Sequence, residues 1–227
     1  MFHFLISMIA PASAPKPTSR ESFKWEGKKI FDFIGDETDV VIPKGVIGIG
    51  RCAFAKCKSL KSVVISKWVK EIGEWEFFSC ESLESVAIPD TLTKIRGRAF
   101  ADCPALRHWD ISPTHPSFRS EGIALLSKDG RKLVACPGAS GEYRIPEGVT
   151  VIGENAFLGC RALTSVVIPE SVTVIENGAF EECGALTSVG IPESVTEIGR
   201  WAFAKCGALA SVVIPESVKE IGRWAFA

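Results

Sequence analysis

Apolar residues recur along most of the chain in one fixed phase. An Ile followed by Pro or Ser opens each unit, and the units begin 23 residues apart except for one interval of 34. The opening residues are Ile42, Ile65, Ile88, Ile111, Ile145, Ile168, Ile191 and Ile214. Every unit except the one at Ile111 has Ile seven places on and Phe twelve places on, and the six full units add Cys fifteen and Leu eighteen places on. Such a period is typical of a solenoid, in which each coil buries its apolar side against its neighbours.

The pattern inside one unit predicts two extended segments. Around Ile65, alternation turns Leu60, Val63 and Ile65 inward and sends Ser62 and Val64 to the other face. The Pro after the Ile ends this strand, because Pro has no N–H to continue a ladder. The V-x-x-I-G stretch that follows predicts a second short strand with a backbone corner at its Gly. The A-F-x-x-C stretch predicts one turn of helix before the next Leu.

The repeated unit I-P-x-x-V-x-x-I-G-x-x-A-F-x-x-C-x-x-L-x-S-V resembles the BspA-like class of leucine-rich repeats. The resemblance covers about residues 40–227 in seven in-phase copies. It implies an α/β fold class: a right-handed, horseshoe-like leucine-rich-repeat solenoid, dominated by strands, with a parallel sheet on its concave face and short helical turns. It also implies the common role of this family, adhesion or recognition by surface or secreted proteins of bacteria and microbial eukaryotes.

The unit that begins at Ile111 departs from the repeat. It lacks the Ala-Phe and Cys landmarks and carries Ser127-Lys128-Asp129-Gly130 between two apolar runs. Asp-Gly in that setting indicates a β-hairpin, so we expect one hairpin insertion within a single solenoid over residues 20–227. Its predicted parts are an N-terminal coil at 20–39, repeats at 40–111, a long hairpin-containing repeat at 112–145, and repeats at 146–227 with the last incomplete.

Composition narrows the classes of partner. A formal net charge of −1 gives no basic surplus for binding nucleic acid or an anionic membrane. The apolar run at residues 2–10 is far shorter than the roughly 20 residues of a membrane helix, so no membrane span is expected. Residues 1–19 are interpreted as a disordered tail or a weak signal peptide, because Ala12-Ser13-Ala14 suits a signal peptidase but no Lys or Arg precedes the apolar run. A secreted or cell-surface location therefore follows from the resemblance alone.

The reactive side chains form no catalytic or metal-binding motif. Six of the eight Cys residues recur in the repeat phase, which favours a ladder of buried thiols over disulfides or metal ligands. The residues His3, His108 and His115 have no ligand spacing, and the glycines of residues 45–50 occupy ordinary repeat positions. The sequence therefore predicts no enzymatic activity, no cofactor and no bound metal.

The strand positions that face away from the core are the candidate binding residues. We expect this track of Ser beside small apolar residues to line the concave face and bind a protein partner. The track consists of Ser62, Val64, Ser85, Ala87, His108, Asp110, Ser165, Val167, Ser188, Gly190, Ser211 and Val213. The alternative is that this face is only the solvated side of the sheet. A second row, ten places after each Ile, is either an interface or half-buried packing. It includes Trp75, Arg98, Asn155, Trp201 and Trp224.

Together these features predict a non-catalytic protein-recognition or adhesion module. The alternative is an accessory or structural repeat region of a larger protein, such as an enzyme whose catalytic domain lies outside this chain. The sequence stops at Ala227, before the Cys and Leu positions of its last unit. Because solenoids ordinarily end in a polar cap, we expect a fragment that exposes apolar surface at its open C-terminal end and self-associates there.

Overall fold

The computed structural model describes residues 16–227. The tail or signal peptide predicted at residues 1–19 therefore lies outside the described residues, apart from residues 16–19. Strands dominate this part of the chain, and its only helical segment is one 3-10 turn at Arg20–Ser22. The first two strands, β1 (Phe23–Glu26) and β2 (Lys29–Phe33), form an antiparallel hairpin.

The longer strands of the coils stack in parallel. They are β3 (Asp39–Val41), β5 (Ser62–Val64), β7 (Ser85–Ile88), β9 (His108–Ile111), β13 (Gly141–Arg144), β15 (Leu163–Val167) and β17 (Ser188–Gly190). They form two sheets, in the orders β3-β5-β7-β9 and β13-β15-β17. The strand-dominated solenoid with parallel sheets, predicted from the repeat, is thereby confirmed.

Each coil then adds a strand of two residues where the V-x-x-I-G stretch predicted one. These short strands are β4 (Gly48–Ile49), β6 (Glu71–Ile72), β8 (Lys94–Ile95), β14 (Val151–Ile152), β16 (Val174–Ile175), β18 (Glu197–Ile198) and β19 (Glu220–Ile221). The long unit contributes β10 (Phe118–Glu121), β11 (Ala124–Ser127) and β12 (Lys132–Ala135), paired antiparallel in that order. Strand β12 pairs in parallel with β14, so the insertion joins the row of short strands.

Stacked phenylalanines fill the centre of the solenoid. The ring of Phe54 lies 4.9 Å from that of Phe77, and the ring of Phe180 lies 5.1 Å from that of Phe203, with nearly parallel planes. The long unit divides this core into two clusters. Leu125 of β11 belongs to the first cluster, whereas its neighbours Ala124 and Leu126 belong to the second. The side-chain alternation of one strand therefore makes it a wall between two apolar interiors.

The A-F-x-x-C segment is not helical, so the predicted helical turns are wrong. The residues ten and fourteen places after the opening Ile adopt positive φ, as Cys52 (62°) and Lys56 (61°) do in the first coil. Positive φ interrupts a right-handed helix. The Ala55 amide donates within the turn to Cys52 O at 2.9 Å, while the Lys56 amide donates to Phe78 O of the next coil at 2.7 Å. Alternate amides therefore close tight turns and bind the neighbouring coil.

The glycine that follows the short strand has a different role from the predicted corner. At Gly199, φ is not positive, but an added Cβ would lie 2.5 Å from the backbone nitrogen of Asn177 in the preceding coil. Gly is needed there because two backbones pass in contact.

Candidate functional site

The outward side chains of the longer strands form one surface, which we call the long-strand face. Alternation positions them: in β5, Val63 is buried in the core, while Ser62 and Val64 on either side point outward and are half-buried. The same pattern recurs in β9, where Trp109 is buried between the exposed His108 and Asp110. The face is therefore a direct consequence of the period-two pattern.

Parallel pairing arranges these side chains in two columns. The first column contains Asp39, Ser62, Ser85 and His108 in one sheet and Glu142, Ser165 and Ser188 in the other. The second contains Val41, Val64, Ala87 and Asp110, followed by Arg144, Val167 and Gly190. Hydrogen-bonded strands lie about 4.8 Å apart, so consecutive members of a column are neighbours.

The structure brings together ten of the twelve predicted residues in this way. The other two, Ser211 and Val213, lie in the last coil in a segment that is not a strand, and Val213 is 83% exposed. That coil also exposes Ile214, Ile221 and Phe226. Self-association through these side chains stays a prediction.

Four residues of the columns were missed: Asp39, Val41, Glu142 and Arg144. The signal for them was present, since they stand three places and one place before Ile42 and Ile145, as Ser and Val do before Ile65. Asp39 accepts hydrogen bonds from the hydroxyls of Ser62 and Thr38, and these bonds lower the pKa of its carboxyl group. The carboxylate is thus fixed at one end of the Ser column.

The two sheets of the long-strand face do not pair with each other at the insertion. Strands β9 and β13 belong to different sheets. Arg107, beside β9, donates from Nη2 to Ser140 Oγ at 3.3 Å on the other side of this junction. The strands at the junction carry charged or ionisable side chains, His108 and Asp110 in β9 and Glu142 and Arg144 in β13. The centre of the face is therefore polar, while the strands away from the junction present Ser and small apolar side chains, apart from Asp39 in β3.

The second predicted row has two different environments. Trp75 packs edge-on against Phe78 with 4.9 Å between ring centroids, and the guanidinium of Arg98 lies 5.0 Å from the Trp75 ring. Arg98 also donates to Asn155 and Glu181, each at 3.3 Å. This part of the row is half-buried packing that crosses the insertion.

The other part of the row is more open to solvent. Trp201 and Trp224 stack with 5.5 Å between ring centroids and are 38% and 58% exposed. Both adopt positive φ, a conformation that costs a bulky residue on the order of 1–3 kcal/mol. Gly178 and Asn155 occupy the same position in other coils at lower cost, so the two indoles are not required by the turn.

The cysteines form a ladder of buried thiols, with Cys52 and Cys57 more accessible and no disulfide among residues 16–227. Cys80 lies 2.9 Å from Phe54 O and Cys183 lies 3.2 Å from Phe157 O, each in position to donate to the carbonyl of the preceding coil. Burial raises the pKa of Cys206 to about 12. Because the thiolate is the nucleophilic form, such thiols act as packing groups. Within the described residues, no cluster of three or more His, Cys, Asp or Glu side chains is arranged to hold a metal.

His115 is a buried structural residue at the start of the insertion. Its Nδ1 accepts the amides of Ser117 and Phe118, both at 3.1 Å. The other ring nitrogen, Nε2, must therefore carry the proton of the neutral ring and donates it to Pro89 O at 3.1 Å. The ring fastens the insertion to the coil before it.

A family model described as BspA type leucine rich repeat region matches the chain in six copies, over residues 27–124 and 140–227. A search of curated proteins found no match. In the described part of the chain, residues 16–227, there is no helix with the length and apolar character needed to span a membrane.

Several solved structures share this architecture. The pneumococcal vaccine antigen PcpA superposes with a TM-score of 0.67 at 21% identity, over 83% of this chain and 48% of that protein. A leucine rich cell surface protein from Faecalibacterium prausnitzii A2-165 gives 0.58 at 23% identity, over 94% and 86%. The T. pallidum leucine rich repeat protein TpLRR gives 0.52 at 26% identity, over 86% and 92%. The chain thus spans about half the length of the PcpA structure.

Proposed function

Because the chain belongs to the BspA-type leucine-rich repeat family, we propose that it is a non-catalytic protein-recognition or adhesion module that binds through its long-strand face. The observation that carries the proposal is the register of the strands, which aligns Ser62 with Ser85 and Ser165 with Ser188 on stacked coils. We further propose that this face is the concave side of a right-handed solenoid.

The chemistry of the columns suits an extended segment of a partner protein. Ser hydroxyls both donate and accept hydrogen bonds, and the neighbouring Ala87 and Gly190 leave room for a chain to lie across several coils. The polar junction, with Asp110 and Arg144 in the same column on its two sides, would select partners by charge. A secreted or cell-surface location is proposed with this function, and one structural relative is described as a cell surface protein.

A matched pair of double variants tests the proposal. Peptides selected by display against the wild-type chain provide the ligands, and their dissociation constants are measured by interferometry. Ser165→Arg with Ser188→Arg fills the columns of adjacent coils, so we expect a loss of at least tenfold in affinity. Gly184→Arg with Gly207→Arg is the control, because an added Cβ at either exposed position meets no atom within 4 Å. Equal binding by both double variants would refute use of the long-strand face.

A second candidate is a repeat region that supports another domain of a larger protein. It is favoured by the coverage of PcpA, of which this chain matches 48%. In that case the display selection would return no ligand for the long-strand face.

A further inference from the structure

One buried residue breaks the repeat at a position where all other coils agree. Eleven places after the opening Ile stands Ala in six coils and Glu76 in the seventh. The six are Ala53, Ala99, Ala156, Ala179, Ala202 and Ala225, all buried. Glu76 is only 4% exposed, and its Oε2 has no hydrogen-bond partner. A buried polar atom without a partner is costly, so the fold alone does not account for this Glu.

The Glu76 side chain replaces a backbone hydrogen bond between coils. In the other coils, the amide eight places after the opening Ile donates to the preceding coil, as Gly199 N does to Ile175 O at 2.7 Å and Arg96 N does to Ile72 O at 2.9 Å. The Gly73 amide donates instead to Glu76 Oε1 at 2.8 Å. Strands β4 and β6 accordingly lie in different sheets.

A cavity of about 270 Å³ opens beside this break. Its lining residues are Arg51, Gly73, Glu74, Glu76 and Arg96. Arg51 makes no ion pair within residues 16–227, and Arg96 contacts Glu71 through Nε, leaving its terminal nitrogens available. Two arginines therefore line one cavity together with the buried Glu76.

The charges around the cavity suit a ligand with a single negative group. The lining residues Arg51, Glu74 and Arg96 come from the first, second and third coils, and Arg96 pairs with Glu71 of the second coil. Burial is the main cause that raises the pKa of Glu76 to about 8, so this carboxyl group is neutral at pH 7 and can donate its proton. Guanidinium groups bind carboxylates through pairs of parallel N–H···O bonds, and a neutral carboxyl group can share its proton with a carboxylate.

We propose that this cavity binds a carboxylate group, held by Arg51 and Arg96 and hydrogen-bonded by Glu76 once the buried Oε2 of Glu76 turns into the cavity. The carboxylate belongs either to a small organic acid or to an acidic residue of a partner. The site lies beside the short strands and is separate from the long-strand face, so its test does not depend on the function proposed above.

The experiment titrates the ¹⁵N-labelled chain with acetate, succinate and a Glu-containing peptide whose ends are blocked, and follows the Gly73 amide and Arg side-chain resonances. We expect saturable shifts with carboxylates and none with chloride. Saturation by the small acids alone would assign a metabolite-sized ligand, and tighter binding of the peptide would assign a partner residue. No saturable shift with any of the three ligands would overturn the proposal.

Four variants and one control variant identify the groups that bind. Arg51→Gln and Arg96→Gln should each raise the dissociation constant at least fivefold, whereas Arg131→Gln, at an exposed arginine elsewhere, should leave it unchanged. Glu76→Ala restores the residue of the other coils and should weaken binding while the fold is kept. Glu76→Gln retains a donor and should keep binding. Equal affinities for Arg51→Gln and Arg131→Gln, or equal shifts with chloride, would overturn the carboxylate site.

Discussion

Glu76→Ala should stabilise the protein, by an amount that grows with pH. Burial is the main cause that raises the pKa of the Glu76 carboxyl group from its ordinary value of 4.5 to about 8. The folded chain therefore holds this proton more tightly than the unfolded chain does. Below pH 4.5 both states are protonated and the shift has no effect on stability. As the pH rises from there towards 8, the unfolded state releases the proton first, and the wild type loses stability relative to the variant.

The magnitude follows from the size of the shift. One pKa unit corresponds to about 1.4 kcal/mol, so the stability of the variant relative to the wild type should exceed its low-pH value by roughly 1 kcal/mol near pH 5 and on the order of 3 kcal/mol near pH 7. The Gly73 amide loses its bond to Glu76 Oε1 in the variant, but Ala at this position leaves room for the bond to the preceding coil that other coils make. The loss should therefore be compensated in part.

Urea unfolding monitored by tryptophan fluorescence, at several pH values from about 5 to about 8, measures the difference. Glu84→Ala removes an exposed carboxylate on the same coil and should change the free energy of unfolding by less than about 0.5 kcal/mol at every pH. If the difference in free energy of unfolding between Glu76→Ala and the wild type stayed constant with pH, the reasoning would be refuted, because the Glu76 carboxyl group would then be ionised in the folded and the unfolded state alike.

Two further predictions concern the turns and the core. Lys56→Gly should raise the free energy of unfolding by about 1 kcal/mol, because Lys56 is exposed and adopts a φ of 61° that Gly tolerates better. The control Lys58→Gly, at a residue without positive φ, should lower the free energy of unfolding by about 0.5–1 kcal/mol. Calorimetry distinguishes the two signs, and equal effects would contradict the argument. Phe180→Ala should lower the free energy of unfolding, measured with urea, by about 3–5 kcal/mol, because the buried Phe180 ring stacks on Phe157 and Phe203. A decrease below about 1 kcal/mol would refute a packed aromatic stack.

Apolar periodicity was sufficient to predict the strands of the repeated coils, apart from the longer strand of the last coil, and the buried positions of the core. It gave the phase of the buried residues, as at Leu60, Val63 and Ile65, because burial and side-chain alternation are what the pattern of apolar residues records. It could not give the sign of φ in the turns. There the residue types were misleading. Among the residues ten places after the opening Ile, only Gly178 and Asn155 belong to types that favour positive φ, yet Trp201 adopts positive φ as well.

The candidate sites were predictable to different degrees. The columns of the long-strand face followed from the repeat, and a stricter use of the same phase would have included Asp39 and Glu142. The cavity beside Glu76 was not predicted, because the repeat pattern records only the residues that the coils share and not the one coil that differs. Its signal was the single Glu among six Ala residues, and only the structure shows that this Glu takes the place of a backbone bond.

The insertion limits how far the coils can act as one binding surface. In a solenoid, each coil interacts mainly with its neighbours, and here both the sheet and the core change at the long unit. The contacts that cross it include the Asp102 amide on Leu158 O at 3.2 Å and Arg98 on Glu181 at 3.3 Å. A partner lying along the long-strand face would therefore contact two sheets that do not pair with each other, and its affinity should depend on the contacts that hold them in register.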